Sequence, residues 1–476
     1  MNVVPHKASP ESGQSSGGAG SEWPPGWNTM PHGIRVGRYI DPDFQKLEYQ
    51  KLEYQKLWSK VWQIAIRVDE IPEVNDYTVY TIGDQSALLV RVDQNTVKAY
   101  HNVCPHRGTA LADGCGSLNE GRIICPFHGW RWDAMGRNQF VLERQEFRGG
   151  QLRDSDVALK EIKSVVFAGF VFINFDRNAE SFDDFIAPIR DYLENLAIAQ
   201  MRHYWWKAIP VAANWKVAQE AFFEGYHVPA THPQLEPKAA DFIFGEQTGR
   251  EVEFAHWNVG YEAFPRGHGR FYGKKTPMAG NVQAQNGDAV AAMAARLKLL
   301  SDGMDAQVLQ GDIDVLLTLQ GKELQAGSNL GAEYVKALYA KAASEQRPMP
   351  MPTPENLGMW GGEILIFPNF MILPQSGNAM MYRARPHGTD PDRCIFEIFS
   401  TKTYPAALQP PRAIVQWVTN IDDPEQVLRI PRQDLSNIPR MQRGLHSSSM
   451  RQTWLAENQE KIILNMHQEM DRYLRS

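Results

Sequence analysis

Two short segments, Cys104-Pro105-His106 and Cys125-Pro126-Phe127-His128, each place a thiol and an imidazole within one turn of chain. Four such donors act together only if the fold brings both segments to one point and holds them there. That favours loops carried on a rigid scaffold. Mixed thiolate and imidazole ligation suits a [2Fe–2S] cluster in which two imidazoles replace two thiolates on one iron and raise its potential. Tetrahedral zinc also accepts two cysteines and two histidines. Zinc modules, however, pair like with like, as C-x2–4-C and H-x3–5-H, whereas both halves here are mixed. The spacing therefore favours the iron–sulfur reading over a structural zinc site.

The surrounding sequence supplies the scaffold. Between about residues 62 and 175, YTVYTIGDQSALLVRVDQNTVKAYHNV alternates apolar and polar positions, with turn signals at GDQS and DQN. VVFAGFVFINF reads as one more buried strand, so both donor loops hang from the tips of an antiparallel β domain. Cys115 lies inside this region but outside the donor pattern, and reads as a small buried residue. Four cysteines, three of them in the loop region, do not make a disulfide framework, which points to a reducing compartment and a cytoplasmic location. No apolar run approaches the ~18 residues of a membrane span, and the N-terminus lacks the basic-then-apolar order of a signal peptide. A formal net charge of −6 and a pI of about 6.1 argue against a nucleic-acid partner.

Outside this block the chain changes character. Residues 1–22 are Ser/Gly-rich and read as a disordered tail. A helical segment follows, in which QKLEY occurs at 45–49 and again at 50–54, with QKL at 55–57. Five residues advance a helix by ~500°, so the copies do not stack on one face. The repeat reads as a local duplication lengthening an exposed helix. Near residue 176 a mixed α/β character begins with the amphipathic SFDDFIAPIRDYLENL. Residues 236–355 are helix-rich, with AVAAMAARLKLL and GAEYVKALYAKAA as the clearest segments.

A second constellation runs from Asn214 to His232. Residues 215–227 read as a helix that puts Glu224 and His227, three apart, on one face. His232 would rotate ~140° away on a straight helix, but Pro229 breaks the helix and lets the chain turn His232 back. Two histidines with one carboxylate and open positions form the facial triad of non-haem Fe(II) oxygenases. Such a histidine pair is more often ordinary packing; beside the Cys/His motif the balance reverses.

Taken together, CPH…CPFHGW and NWK…E…YH-x4-HP resemble the large (α) subunit of Rieske non-haem iron, ring-hydroxylating oxygenases, over about residues 40–235 and 360–476. The resemblance implies an α+β fold: an antiparallel β Rieske domain (62–175) inserted in a larger α/β catalytic domain with a curved antiparallel sheet. The catalytic domain would comprise the N-terminal segment 23–61 and residues 176–476, with a variable helical cap at about 236–355. It implies a Rieske [2Fe–2S] cluster on Cys104, His106, Cys125 and His128, a mononuclear Fe(II) on His227 and His232, and O2 as cosubstrate. Respiratory-chain Rieske centres carry two extra cysteines and a serine where this chain has Thr109, Phe127 and Trp130. Fewer hydrogen bonds to the sulfurs lower the potential, which suits delivery of electrons to an oxygen-activating iron.

The family's later motif, an acid followed eight positions on by Gln-Arg-Gly, fits PRQDLSNIPRMQRGL and makes Asp434 the candidate third ligand. Asp422 and Asp423 are rivals, and Asp434 could instead complement a helix N-terminus after Pro431. The residue before it is commonly Glu in the family and is Gln433 here; the usual Asn after Glu220 is Ala221. Glu224 stands where many relatives have an Asp that bridges to the Rieske histidine, here His128, of a neighbouring subunit. One branch with Glu includes oxygenases of quaternary ammonium compounds. The implied partners are a separate reductase and a ferredoxin, because neither a G-x-G-x-x-G nucleotide motif nor a plant-type ferredoxin cysteine run occurs. The implied assembly is a homotrimer, with or without a small β subunit.

Three functional readings follow. The first is mono- or dioxygenation, or oxidative demethylation, of a bulky hydrophobic or aromatic substrate. Another is the same chemistry on a quaternary ammonium compound, and a third is an electron-transfer Rieske protein with a vestigial second site. Phe367, Phe370, Met371, Met380 and Met381 suit a large hydrophobic guest or are plain core. Trp205, Trp206 and Tyr226 could cage a cation or simply pack.

Overall fold

The computed structural model describes residues 25–49, 56–245, 258–274, 288–323, 328–408 and 410–475. The expected tail at 1–22, residues 50–55 of the QKLEY repeat and parts of the 236–355 segment lie outside the described residues.

The strand-rich block forms a seven-stranded sheet in the order Gln63–Arg67, Phe170–Asn174, Glu161–Phe167, Val97–His101, Gln85–Arg91, Asp76–Ile82 and Cys115–Ser117. Strand Asp76–Ile82 alternates buried and less buried residues, as a half-covered strand must. A second sheet of three short strands, Asn138–Phe140, Arg131–Asp133 and Arg122–Ile124, stands beside it. Two sequence expectations need correction here. VVFAGFVFINF is a hairpin rather than one strand, because Ala168 and Gly169 both take positive φ (49° and 79°) and Phe167 pairs directly with Phe170. Alanine rarely adopts that conformation, so the turn leaves little trace in composition. Cys115 is exposed, not buried, since its strand is the sheet's edge.

The remainder is built on an eight-stranded sheet: Val259–Ala263, Gly269–Gly273, Glu363–Ile366, Phe370–Pro374, Asn378–Pro386, Cys394–Lys402, Arg202–Val211 and Gln416–Trp417. It is antiparallel except for the last pair. Its two faces have different neighbours. Phe370, Arg383 and Glu397 are cross-strand partners on one face. There Phe370 meets Phe170 edge-on at 5.1 Å, and Arg383 donates to the carbonyls of Ile64 and Ala65. This face is thus sealed by the smaller domain. On the opposite face Phe222 packs against Tyr382 (4.4 Å) and Phe396 (5.0 Å). The sheet separates the candidate hydrophobic residues: Met371 and Met380 share the Tyr382 face, whereas Phe370 and Met381 point to the smaller domain. Phe367 stacks on Tyr473. Phe370 and Met381 are therefore core of the domain junction and cannot wall a site on the Tyr382 face.

SFDDFIAPIRDYLENL forms Phe182–Ile186 and Arg190–Asn195 with a 3-10 turn between them at Pro188, which cannot donate to the preceding helix. Helices Ala289–Met304, Gln310–Leu317 and Leu330–Ser344 gather around their own small core of Leu297, Leu316, Tyr334 and Leu338. No helix among the described residues is long and apolar enough to cross a membrane.

Candidate metal centres

The two Cys/His loops are backbone copies of one another. Cys104 N–H donates to Thr109 O (2.8 Å) and Gly108 N–H to Cys104 O (3.0 Å). In the other loop Cys125 N–H donates to Trp130 O (2.9 Å) and Gly129 N–H to Cys125 O (3.1 Å). Gly108 and Gly129 supply the positive φ, 81° and 70°, that closes each six-residue turn. Within this shared frame the histidine stands two residues after the cysteine in the first loop and three after it in the second. That offset brings the two Nδ1 atoms within 3.1 Å of each other. Cys104 and Cys125 are buried at 2% and 1% exposure, and burial, with the Cys125 thiol adding to it, raises the Cys104 thiol above its ordinary range. Trp130 stacks on His106, with ring centroids 4.7 Å apart and planes 9° apart, and fixes the imidazole's orientation. Two convergent imidazole nitrogens beside two buried thiols are the donor set that a Rieske cluster needs.

The second constellation also converges, by a different route from the expected one. The helix beginning at Trp215 ends at Glu220, not at 227, and a new short helix runs from Val228 to Thr231. Pro229 sits in the first turn of that helix, where its missing N–H costs nothing; it does not break a continuous one. Glu224 and His227 still meet, because the Glu224 carboxylate accepts the backbone N–H of Tyr226 and of His227 and also contacts His227 Nδ1 at 2.8 Å. His232 follows the short helix, and helix Arg429–Leu445 carries the buried Asp434 opposite.

Asp434 Oδ1 lies 2.9 Å from His232 Nε2 and 3.6 Å from His227 Nε2. One donor atom from each of the three residues falls within 4.8 Å of the others. Burial alone would lower the His227 pKa, but Glu224 outweighs it and Asp434 adds to it, raising the value to about 9. A cation between these groups would relieve the charge that the carboxylates concentrate there. Among the rivals, Asp422 is exposed and Asp423 caps a turn at Glu425, and neither joins the group.

Residues that the sequence left without a role complete the site. Gln433 Oε1 faces His232 Nδ1 at 3.0 Å and accepts a hydrogen bond from Gln234 Nε2 at 2.8 Å. Both histidines therefore turn Nδ1 to an orienting partner and Nε2 to the carboxylate, the usual arrangement at metal-bound imidazoles. Glu220 points away to Tyr39 and His467, and burial pushes its carboxyl up to about 8. Neither tryptophan candidate meets Tyr226: Trp205 donates to Asp305 O, Trp206 stacks on Phe399, and Tyr226 is exposed.

The family model for the ring hydroxylating alpha subunit (catalytic domain) matches residues 198–476, and that for the Rieske [2Fe-2S] domain matches 61–146. The chain is 32% identical over 181 residues to the glycine betaine monooxygenase oxygenase subunit of Pseudomonas aeruginosa (strain UCBPP-PA14), covering 38% of this chain and 41% of the relative. The match thus spans about two fifths of that curated relative's length. A quaternary ammonium Rieske monooxygenase solved with L-carnitine superposes with a TM-score of 0.59 at 16% identity, covering 93% of this chain and 96% of the other. Naphthalene 1,2-dioxygenase from Rhodococcus sp., solved with indole, gives 0.60 at 16% identity over 93% and 94% of the two chains. These solved structures share the fold: a Rieske domain joined to a catalytic domain on a curled sheet. With more than half its length matched to the catalytic domain and both donor sets assembled, the chain belongs to the ring-hydroxylating α-subunit family of Rieske non-haem iron oxygenases.

Proposed function

We propose that this chain is an O2-dependent oxygenase that hydroxylates, or oxidatively demethylates, an organic substrate held between the Tyr382 face of the sheet and the His227–His232–Asp434 site. The observation that carries the reading is the convergence of those three donors on one point in a chain that also assembles the Rieske donor set. When bound, the two iron groups supply electron transfer and O2 activation. The protein's own part is orientation and exclusion of water. Glu224 and Gln433 hold the two imidazoles so that their Nε2 lone pairs face Asp434. Phe222, in the segment that leads to Glu224, packs on Tyr382 and Phe396 as an apolar wall, and a dry wall strengthens every electrostatic contact within.

Glu224 also supports an assembly of subunits. By analogy with the family it would take a hydrogen bond from His128 of an adjacent copy, giving electrons a short path between centres. The Phe127 tip beside His128 and Tyr226 beside Glu224 are 57% and 56% exposed, as surfaces awaiting a partner would be. A structural relative is described in terms of inter-subunit electron transfer. A homotrimer fed by a separate reductase and a ferredoxin fits these features, and a small β subunit is compatible with them.

The test is product formation under 18O2 by the iron-loaded chain with a surrogate reductase and NADH, read by mass spectrometry over cyclic hydrophobic and trimethylammonium compounds. About three irons per chain are expected, two in the cluster and one at the triad. His227→Ala should lose product and about one iron while the cluster's absorption persists. Two irons in the wild-type chain, with a reducible cluster and no labelled product, would leave only electron transfer.

A further inference from the structure

Glu363 opens strand Glu363–Ile366 and lies directly across from Phe271, which in turn lies across from Tyr261. Cross-strand partners project to one face, so these three side chains form a row. Register through Leu365, Met371 and Tyr382 places the row on the face that Phe222 covers. Tyr261 is tied to the site directly, because its hydroxyl accepts the N–H of Gly225, next to Glu224. Glu363 is 3% exposed, and its carboxylate has neither a hydrogen bond nor an ion pair with any described residue.

A buried carboxyl without a partner is costly, and the strand gives no structural reason for one, since Ile364, Leu365 and Ile366 are all apolar and buried. The charged groups acting on Glu363, Tyr261 and Tyr382 are carboxylates throughout: Glu224, Asp434, Glu460 and Glu363 itself. Among the described residues no lysine or arginine pairs with Glu363. Burial first, and Glu224 second, push the Glu363 carboxyl well above the usual range. An iron at the triad would offset Asp434 but leaves Glu363 unmatched. Left alone the carboxyl holds its proton; what would favour its charged form is a positive charge compatible with aromatic walls. An alkylammonium group supplies both, through attraction to the carboxylate and contact with the ring faces of Tyr261, Phe271 and Tyr382.

We propose that Glu363 is a specificity-determining residue that seats a cationic alkylammonium nitrogen of the substrate against the Tyr261–Phe271–Tyr382 face. The proposal rests on the oxygenase reading above. A purely apolar guest would leave the carboxyl desolvated and unpaired; a cationic head on an apolar body satisfies it.

The test compares choline with its neutral carbon isostere, 3,3-dimethylbutan-1-ol, by calorimetric titration of the iron-loaded protein and of Glu363→Gln. The wild type should bind choline ~10-fold or more tightly than the isostere. The variant should bind the two within ~2-fold of each other, with its affinity for the neutral compound unchanged. Equal affinities in the wild type, no binding of choline, or full discrimination retained by E363Q would each overturn the proposal. The wild-type comparison stands even where the variant folds poorly. Iron content and cluster absorbance on the same samples separate the two claims: missing triad iron strikes at the oxygenase reading, and full iron without charge discrimination strikes at Glu363 alone.

Discussion

Gln433 does with a neutral amide what Glu224 does with a charge: each holds one imidazole by Nδ1. At His227 burial is outweighed by the Glu224 carboxylate, with Asp434 adding to it, and the imidazole becomes more basic. Partners of this kind commonly matter 10–100-fold for metal affinity. Gln433→Ala should therefore weaken iron retention by about that range, and Gln433→Glu should restore it; iron remaining after graded chelator treatment, at constant cluster absorbance, measures both. The two Cys/His loops and the His227–His232 pair stood out in the sequence by residue type and spacing, whereas the roles of Asp434 and Glu224 entered only through the family resemblance; the structure brings Asp434 to the two histidines. Gln433 was visible only as a departure from a motif, without the Gln234 and His232 contacts that give it a role. Glu363 was less legible still, since one acid at the head of an apolar run looks like a strand end until register aligns it with Tyr261.

At the scale of elements, the paired turns Cys104–Thr109 and Cys125–Trp130 depend on Gly108 and Gly129. An added Cβ at either glycine would meet nothing within 4 Å, so any penalty comes from backbone conformation rather than crowding. Gly129→Ala should cost roughly 1–2 kcal/mol, read as a lower melting temperature and reduced cluster incorporation, with Gly108→Ala matching it. Elements were legible where alternation or helical period was unbroken, as in Asp76–Ile82 and Ala289–Met304. They were misread where a short-range hydrogen bond overrode the pattern. The span 215–227 has helical spacing, yet the Glu224 carboxylate captures the N–H groups of Tyr226 and His227 and diverts the chain. Ala168 occupies a conformation that residue type alone would not suggest.

Across the whole molecule, Arg383 is the joint between domains. It pairs with Glu397 through both Nε (2.7 Å) and a terminal nitrogen (2.9 Å) and reaches the carbonyls of Ile64 and Ala65 in the smaller domain. Burial works to raise the Glu397 pKa, but Arg383 and Arg385 outweigh it and hold it at about 2, below its ordinary 4.5. A depressed carboxylate pKa contributes stability above pH ~4.5 that is lost as pH falls toward ~2. Glu397→Gln should thus be less stable at neutral pH by about 3–5 kcal/mol, the range for leaving a buried charge unpaired. It should also lose stability less steeply between pH ~4.5 and ~2, as denaturant titrations at stepped pH would record. The same junction joins Ile64, Phe170 and Phe172 of the smaller domain to Phe370 and Phe399 of the larger in one apolar cluster. Leu88, Tyr100, Cys104, Cys125, Trp130 and Trp132 form a separate one under the donor loops. The molecule is therefore partitioned for local opening along a line that does not follow its domains: half of the β domain shares the fate of the catalytic sheet, while the cluster-binding half can loosen and re-form as its own cooperative unit.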